Sequence, residues 1–218
     1  MFKRFLQTIR DSIDATLKLQ CKHEVEKIAV SEGRLIKDRF SPRSPHKFRK
    51  GEIYQFEFGR NYFPEMSFEH RGLIIGVKGK LLYVLPICSY NQDEKEHRDA
   101  YHPNDNPDKK QNYYLLKSTE YGFIKRDSVM KLDDMRTISV NRKLYAHSGK
   151  LDVNTDPYKE IESLVLQKYF YKFYFDFAKL QNDYYELQTA FESVKAEKEQ
   201  LEMKQNGNFG LLGGPKTQ

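Results

Sequence analysis

The apolar residues of this chain change their period twice, and that change divides the chain into three parts. Phe2, Leu6, Ile9, Ile13, Leu17, Cys21, Val25 and Ile28 recur at three- and four-residue steps, the spacing of one face of an α-helix. From Gly51 the period becomes two. Tyr54, Phe56 and Phe58 fall on one side of a strand, with Gln55 and Glu57 on the other. Toward the C-terminus it becomes seven: Leu166, Phe173, Leu180, Leu187, Val194 and Leu201 form one series, and Phe170, Phe177, Tyr184 and Phe191 form the other, which Lys198 interrupts. Such a chain predicts an α+β fold in which a β domain carries a helix at each end.

The N-terminal helix should end near Gly33. Ser41-Pro-Arg-Ser-Pro45 then breaks any helix, because proline lacks an N–H and disfavours the α conformation in the residue before it. Residues 1–40 are therefore read as an amphipathic helix and linker, 50–150 as the β domain, 156–205 as a long C-terminal helix opened by Asp156-Pro157, and 206–218 as a flexible glycine-rich tail. The last helix would run for about 45 residues, roughly 65 Å at 1.5 Å per residue. Its seam can pair between chains as a coiled coil or fold back within one chain, and bulky aromatics at one core position keep the second arrangement open. Inside the β domain, Leu73–Val77 and Leu81–Ile87 read as a hairpin around Lys78-Gly79-Lys80. Further strands are expected at Tyr113–Leu116 and Asp127–Val140, and the polar run 92–112 reads as a mobile loop.

A chain of 218 residues can bury one sizeable core. Its formal charge is +6, and residues 1–50 hold 13 Lys/Arg against 6 Asp/Glu, so the whole excess lies in the N-terminal arm, which could attract phosphate backbones. Cys21 and Cys88, far apart, give no disulfide framework and predict a reducing, cytoplasmic setting. No apolar run of membrane length is present, and no secretion signal is expected. His97 and His102 stand at a spacing that matches no metal site; neither metal nor cofactor is expected. A glycine-rich phosphate loop and a G-x-S-x-G turn are both missing, which argues against nucleotide hydrolysis and acyl transfer.

The segment Tyr121-Gly-Phe-Ile-Lys-Arg-Asp-Ser-Val-Met-Lys-Leu-Asp-Asp-Met-Arg-Thr-Ile138 closely resembles the signature of the MazF/PemK family of toxin endoribonucleases. Gly51-Glu-Ile-Tyr-Gln-Phe-Glu-Phe-Gly59 resembles that family's first strand, Glu65-Met-Ser-Phe-Glu-His-Arg-Gly-Leu-Ile-Ile75 its "E…R..L.I" block, and Leu85-Pro-Ile-Cys-Ser89 a weaker fourth block. The likeness covers roughly residues 50 to 145. It implies a small antiparallel SH3-like β-barrel of the PemK/MazF/CcdB type. It also implies a homodimer that cleaves single-stranded RNA sequence-selectively without metal, as the toxin of a toxin–antitoxin or phage-defence system, silenced by a small antitoxin protein.

In that chemistry the RNA's own 2′-hydroxyl attacks the adjacent phosphate, leaving a 2′,3′-cyclic phosphate and a 5′-hydroxyl. The protein aligns the attack, stabilises charge on the phosphorane and moves protons. Arg71 matches the family's catalytic arginine. The family's Thr or Ser falls on Cys88, with Ser89 as the substitute hydroxyl; in a regular strand the two point to opposite faces. Asp133 matches an acid assigned in one branch, and Lys131 replaces an arginine there; lying two apart, they are expected on one strand face. Glu65, His70 and Arg136 are the further RNA-contacting candidates, and Asp127, Arg136 and Thr137 also read as hydrogen-bonded strand ends. The alternative is a non-catalytic barrel that binds RNA or protein and assembles through its C-terminal helix. Gyrase poisons on the same barrel depend on a C-terminal tryptophan, and this chain contains no Trp.

Overall fold

A computed structural model describes residues 2–18, 22–39, 46–108 and 112–209, without the side chains of 146–148 and 204–209. The chain divides into two compact units, Met1–Lys168 and Tyr169–Gln218. The first holds helices α1 (Phe2–Leu17) and α2 (Lys22–Asp38), strands β1 (Glu52–Glu57), β2 (Glu69–Lys78) and β3 (Leu81–Ser89), and a short α3 (Lys95–Arg98). It continues with β4 (Tyr113–Leu116), β5 (Ser128–Lys131), β6 (Arg136–Ser139), β7 (Lys143–Lys150) and α4 (Asp156–Tyr169). The second unit is a single long helix, α5 (Tyr171–Phe209).

The fold is α+β with one antiparallel sheet, as the change of period requires. Its seven strands run in the order β4-β5-β3-β2-β1-β7, and β6 branches from β3. β3 is long enough to serve two partners on one edge: Leu81–Val84 pair with β6, and Ile87–Ser89 pair with β5. Among the described residues no strand pairing closes this path into a ring. The hairpin between β2 and β3 turns at Gly79, whose φ of 62° favours glycine.

Two cores lie on opposite faces of β1–β2. One contains Tyr54, Phe56, Phe58, Ile74, Leu82 and Val84, so the alternating aromatics do share a buried face. The other contains Ile53, Leu73, Leu85, Ile87 and Met130, closed by Tyr158, Ile161, Leu164 and Val165 of α4. Ile161, Leu164 and Val165 each contribute about 1.5–3 kcal/mol by leaving water. Tyr121 and Phe123 of the signature segment pack on this second core, and a Cβ on Gly149 of β7 would come within 2.4 Å of the Phe123 ring. A glycine there lets the ring lie flat on the strand.

Several expectations are corrected. The N-terminal helix does not stop near Gly33. It resumes as α2 and runs through that glycine to Asp38, because Ile28 and Ser31 are buried and Arg34 is held by two carboxylates, which together outweigh the ~1 kcal/mol that a mid-helix glycine costs. The helix expected from Asp156 onward is two helices, with Phe170 between them. The strand expected from Asp127 to Val140 is β5 and β6 around a corner at 132–135. The 92–112 run, expected as a loop, holds α3 and four buried residues, His97, Ala100, Tyr101 and His102, among described residues that are mostly exposed. Within it His102 is pinned between Asp105 (3.0 Å) and Glu120 (3.2 Å). Residues 210–218 of the expected tail lie outside the described residues.

Candidate active site

Directly opposed residues of an antiparallel ladder share a face, and the ladders around β3 therefore sort the candidates. Arg71 opposes Ile87, which opposes Met130; Ser89 opposes Ser128; Cys88 opposes Val129. Arg71, Ser89 and Ser128 thus occupy one face, and Cys88 occupies the other.

On the first face the half-buried Arg71 donates from Nη2 to Ser128 Oγ at 2.8 Å, and that hydroxyl donates to the Arg126 carbonyl at 3.1 Å. Burial, and then the neighbouring Arg126 charge, lower the Arg71 pKa from its ordinary value; a guanidinium so placed stays charged at neutral pH. Gly72, on the opposite face, leaves room for the Val84 and Phe56 side chains, since a Cβ there would lie 2.3 Å from Val84 Cγ1. Glu69, two residues from Arg71 along the same face, is an ion-pair partner of Arg34 at 2.7 Å and accepts a hydrogen bond from Tyr145. Burial pushes its carboxyl up, but Tyr145 and Arg34 outweigh that and hold it below the usual range.

The other face is a packed polar cluster. Cys88 Sγ lies 3.8 Å from His97 Nε2 and 3.9 Å from the Val129 carbonyl. Burial, and then Glu94, push the thiol pKa up to about 11, so the sulfur is a protonated thiol at neutral pH. His97 does not relieve this. Its Nδ1 accepts the Asn91 N–H at 3.0 Å, which leaves the proton on Nε2, facing Glu94 at 3.1 Å. A ring in that tautomer offers the thiol no lone pair. Lys131 is buried on this face, donating to the Pro64 carbonyl at 2.6 Å with its ammonium 5.5 Å from the Tyr113 ring centre.

The remaining candidates scatter. Asp133 does not share a strand face with Lys131, because β5 ends at Lys131 and Leu132 and Asp133 form the turn that leads to β6. Asp133 is exposed in the corner. Its neighbour Asp134, which the sequence reading passed over, accepts from Met66 N–H (2.7 Å) and Arg136 Nε (2.6 Å). Glu65 lies 3.1 Å from Arg136 Nη2, so Glu65, Asp134 and Arg136 tie the β1–β2 connection to β6. His70 points to the face opposite Arg71; burial, then the Lys27 and Arg71 charges, lower its pKa, favouring the neutral ring. Asp127 accepts from both the backbone and the hydroxyl of Ser118, which holds its carboxyl low and fixes a strand end.

Sequence reasoning also missed the clamp beside Arg71. Glu57, expected on the solvent face of β1, is 6% exposed because α2 lies over it. Arg34 Nη1 reaches it at 3.0 Å, Ser31 Oγ at 2.9 Å and the Gly59 N–H at 3.0 Å. The only available signal was a charged residue inside an aromatic strand. Between α2 and the end of β1 lies a cavity of about 400 Å³ lined by Arg34, Arg39, Phe58, Arg60, Asn61 and Arg142 among others, but not by Arg71. Among the described residues no three His, Cys, Asp or Glu side chains converge as metal ligands, and no helix is long and apolar enough to cross a membrane. No family model matches the chain, and no curated protein matches it.

Proposed function

We propose that this chain is an endoribonuclease of the MazF/PemK type, its sheet acting as that family's small barrel, which cleaves single-stranded RNA without metal in a cytoplasmic toxin–antitoxin or defence setting. The observation that carries the reading is Arg71: a half-buried guanidinium on one sheet face with the Ser89 and Ser128 hydroxyls beside it, within segments that resemble the family's blocks. In the proposed reaction the 2′-oxygen attacks phosphorus, the bond to the 5′-oxygen breaks, and Arg71 offers parallel N–H donors to the phosphorane oxygens. The exposed Ser89 hydroxyl supplies a further donor, and the buried Ser128 hydroxyl holds the Arg71 side chain in place. Glu69 is the carboxylate on that face able to accept the 2′-hydroxyl proton, and solvent water returns a proton to the leaving 5′-oxygen. Unpaired bases are read by stacking and edge contacts. A homodimer and a small antitoxin occupying the RNA groove complete the reading.

The test is cleavage of single-stranded RNA by the purified protein in excess EDTA, with the product ends sequenced. Cyclic phosphate and 5′-hydroxyl ends are expected. Dependence on a divalent ion, or 5′-phosphate ends, would reject the mechanism.

One observation favours the second reading, a barrel that binds RNA without cutting it. Glu69, the carboxylate on the Arg71 face, is held low by Tyr145 and Arg34 rather than tuned toward neutrality, whereas general acids and bases work best near the operating pH. RNA binding that survives with no cleaved ends would select this alternative.

A further inference from the structure

The long helix α5 carries large apolar residues that stand exposed. No residue from Tyr171 to Met203 is buried, and Leu180, Leu187 and Phe191 are 65%, 70% and 67% exposed. A solvated helix has no reason to repeat apolar residues every seven positions, and soluble chains do not leave a continuous stripe of this size in water. We infer that α5 is a self-association surface whose occupant is a second copy of α5, packed antiparallel and centred near residue 189.

The direction follows from size and charge along the seam. Phe177, Tyr184, Phe191 and Lys198 take one core position; Leu180, Leu187, Val194 and Leu201 take the other. In a parallel, in-register pair each residue meets its own copy, so the three aromatics crowd one another and Lys198 faces Lys198. Glu197 also falls opposite Glu202 across such a seam. Antiparallel pairing centred near 189 removes all of these conflicts. Phe177 then meets Leu201 of the second copy, Tyr184 meets Val194, Phe191 meets Leu187, and Lys198 meets Leu180, so a large ring always faces an aliphatic side chain.

Charge agrees. In that register Lys198 lies within one helical turn of Asp176 and Asp183 of the second copy. The one like-charged rim pair, Asp183 with Glu197, has Lys198 beside both. Within its own helix Lys198 only makes a 3.7 Å contact to Glu202, in which both side chains are exposed, a surface pair easily exchanged. The area also suffices. Three aromatics at roughly 150 Å² each and the aliphatic stems between them place on the order of 900 Å² of each helix in the seam, above the ~800 Å² per partner of a standard stable interface.

The inference does not depend on RNA cleavage and is tested on the full chain by interchain disulfide formation in a Cys21→Ser background. Ala190 sits beside the proposed two-fold axis, so Ala190→Cys should cross-link under mild oxidation. Leu180→Cys should not, because about 18 residues of helix, roughly 27 Å, separate the two copies of that position. Leu180→Asp with Leu187→Asp should abolish the Ala190→Cys cross-link without changing unfolding of the sheet unit. Lys198→Glu should reduce it at least fivefold, and adding Asp176→Lys and Asp183→Lys should restore it. Cross-linking at Leu180→Cys but not at Ala190→Cys would overturn the antiparallel arrangement. No cross-link at either position, with the mass of one chain by light scattering, would overturn self-association, whether α5 then lies against the exposed apolar face of α1 or against water.

Discussion

The two faces of the β2–β3 hairpin hold comparable chemical groups in opposite states. On the Arg71 face a charged guanidinium donates to the Ser128 hydroxyl, with Ser89 exposed to solvent. On the Cys88 face the thiol, the imidazole of His97 and the ammonium of Lys131 are packed, and each is met by a partner in the same cluster or the adjoining backbone. The first arrangement leaves donors available to a ligand; the second has consumed them in holding the α3 segment and the β1–β2 connection in place. Adjacent residues in a strand therefore serve different purposes, and a motif that runs along a strand should be divided by parity before roles are assigned.

The largest expected effect breaks or upholds the first face directly. Arg71→Lys keeps the charge but loses the two-pronged donor, and RNA cleavage should fall about 10²-fold or more, with thermal unfolding little changed. A near wild-type rate would remove Arg71 from the site. Next is the clamp bordering that face: Arg34→Ala leaves the buried Glu57 with only Ser31 and a backbone N–H, and stability measured by denaturant unfolding should drop by about 1–3 kcal/mol. An unchanged midpoint would mean that α2 is not held there.

The comparison sharpens with paired alanine variants. Ser89→Ala and Ser128→Ala should each slow cleavage by roughly tenfold, equivalent to about one hydrogen bond, whereas Cys88→Ala should leave the rate within about twofold and cost about 1 kcal/mol of stability. Equal losses of rate at Cys88 and Ser89 would dissolve the distinction between the faces. The smallest effect at neutral pH emerges at its extremes. The lowered Glu69 carboxyl contributes stability above its ordinary pKa of 4.5, and that is lost as pH falls through the folded value. The raised Cys88 thiol works the other way: below its ordinary value of 9 its contribution is complete, and it is lost as pH rises toward about 11. Stability curves should therefore show an alkaline limb that Cys88→Ala reduces, with the acid limb intact, while buried tyrosines whose phenols are also pushed up, Tyr54 and Tyr101 to about 12, keep the remainder. An alkaline limb unchanged by the substitution would assign all of it to the tyrosines.

Much of this was legible from residue order. The period-two aromatics of β1 and the Gly79 hairpin follow from strand alternation and turn chemistry. The break at Phe170 did not, because the seven-residue series runs unbroken through Leu166, Phe170 and Phe173. What divides the helix is a second apolar stripe, Tyr158, Ile161 and Val165, that faces the sheet core, and a stripe can be assigned to a core only once the other half of that core is known. Composition likewise concealed the packing of 92–112, where a few buried residues sit among many solvated ones. In the site, Arg71 and Ser89 could be placed from the sequence. Ser128, Asp134 and Arg34 could not, since their partners lie 57, 68 and 23 residues away.

Arg34 also bears on how the molecule opens in time. It joins Glu57 and Glu69, on neighbouring strands, to one turn of α2, so that turn cannot lift off alone without leaving an ionised carboxylate in a dry site. Detachment of α2 should therefore occur only together with water entry at the outer ends of β1 and β2. The backbone amides of those three segments would then exchange with deuterium through one shared opening event, with one common opening free energy, while those of α1, none of whose side chains is buried, exchange independently and much faster.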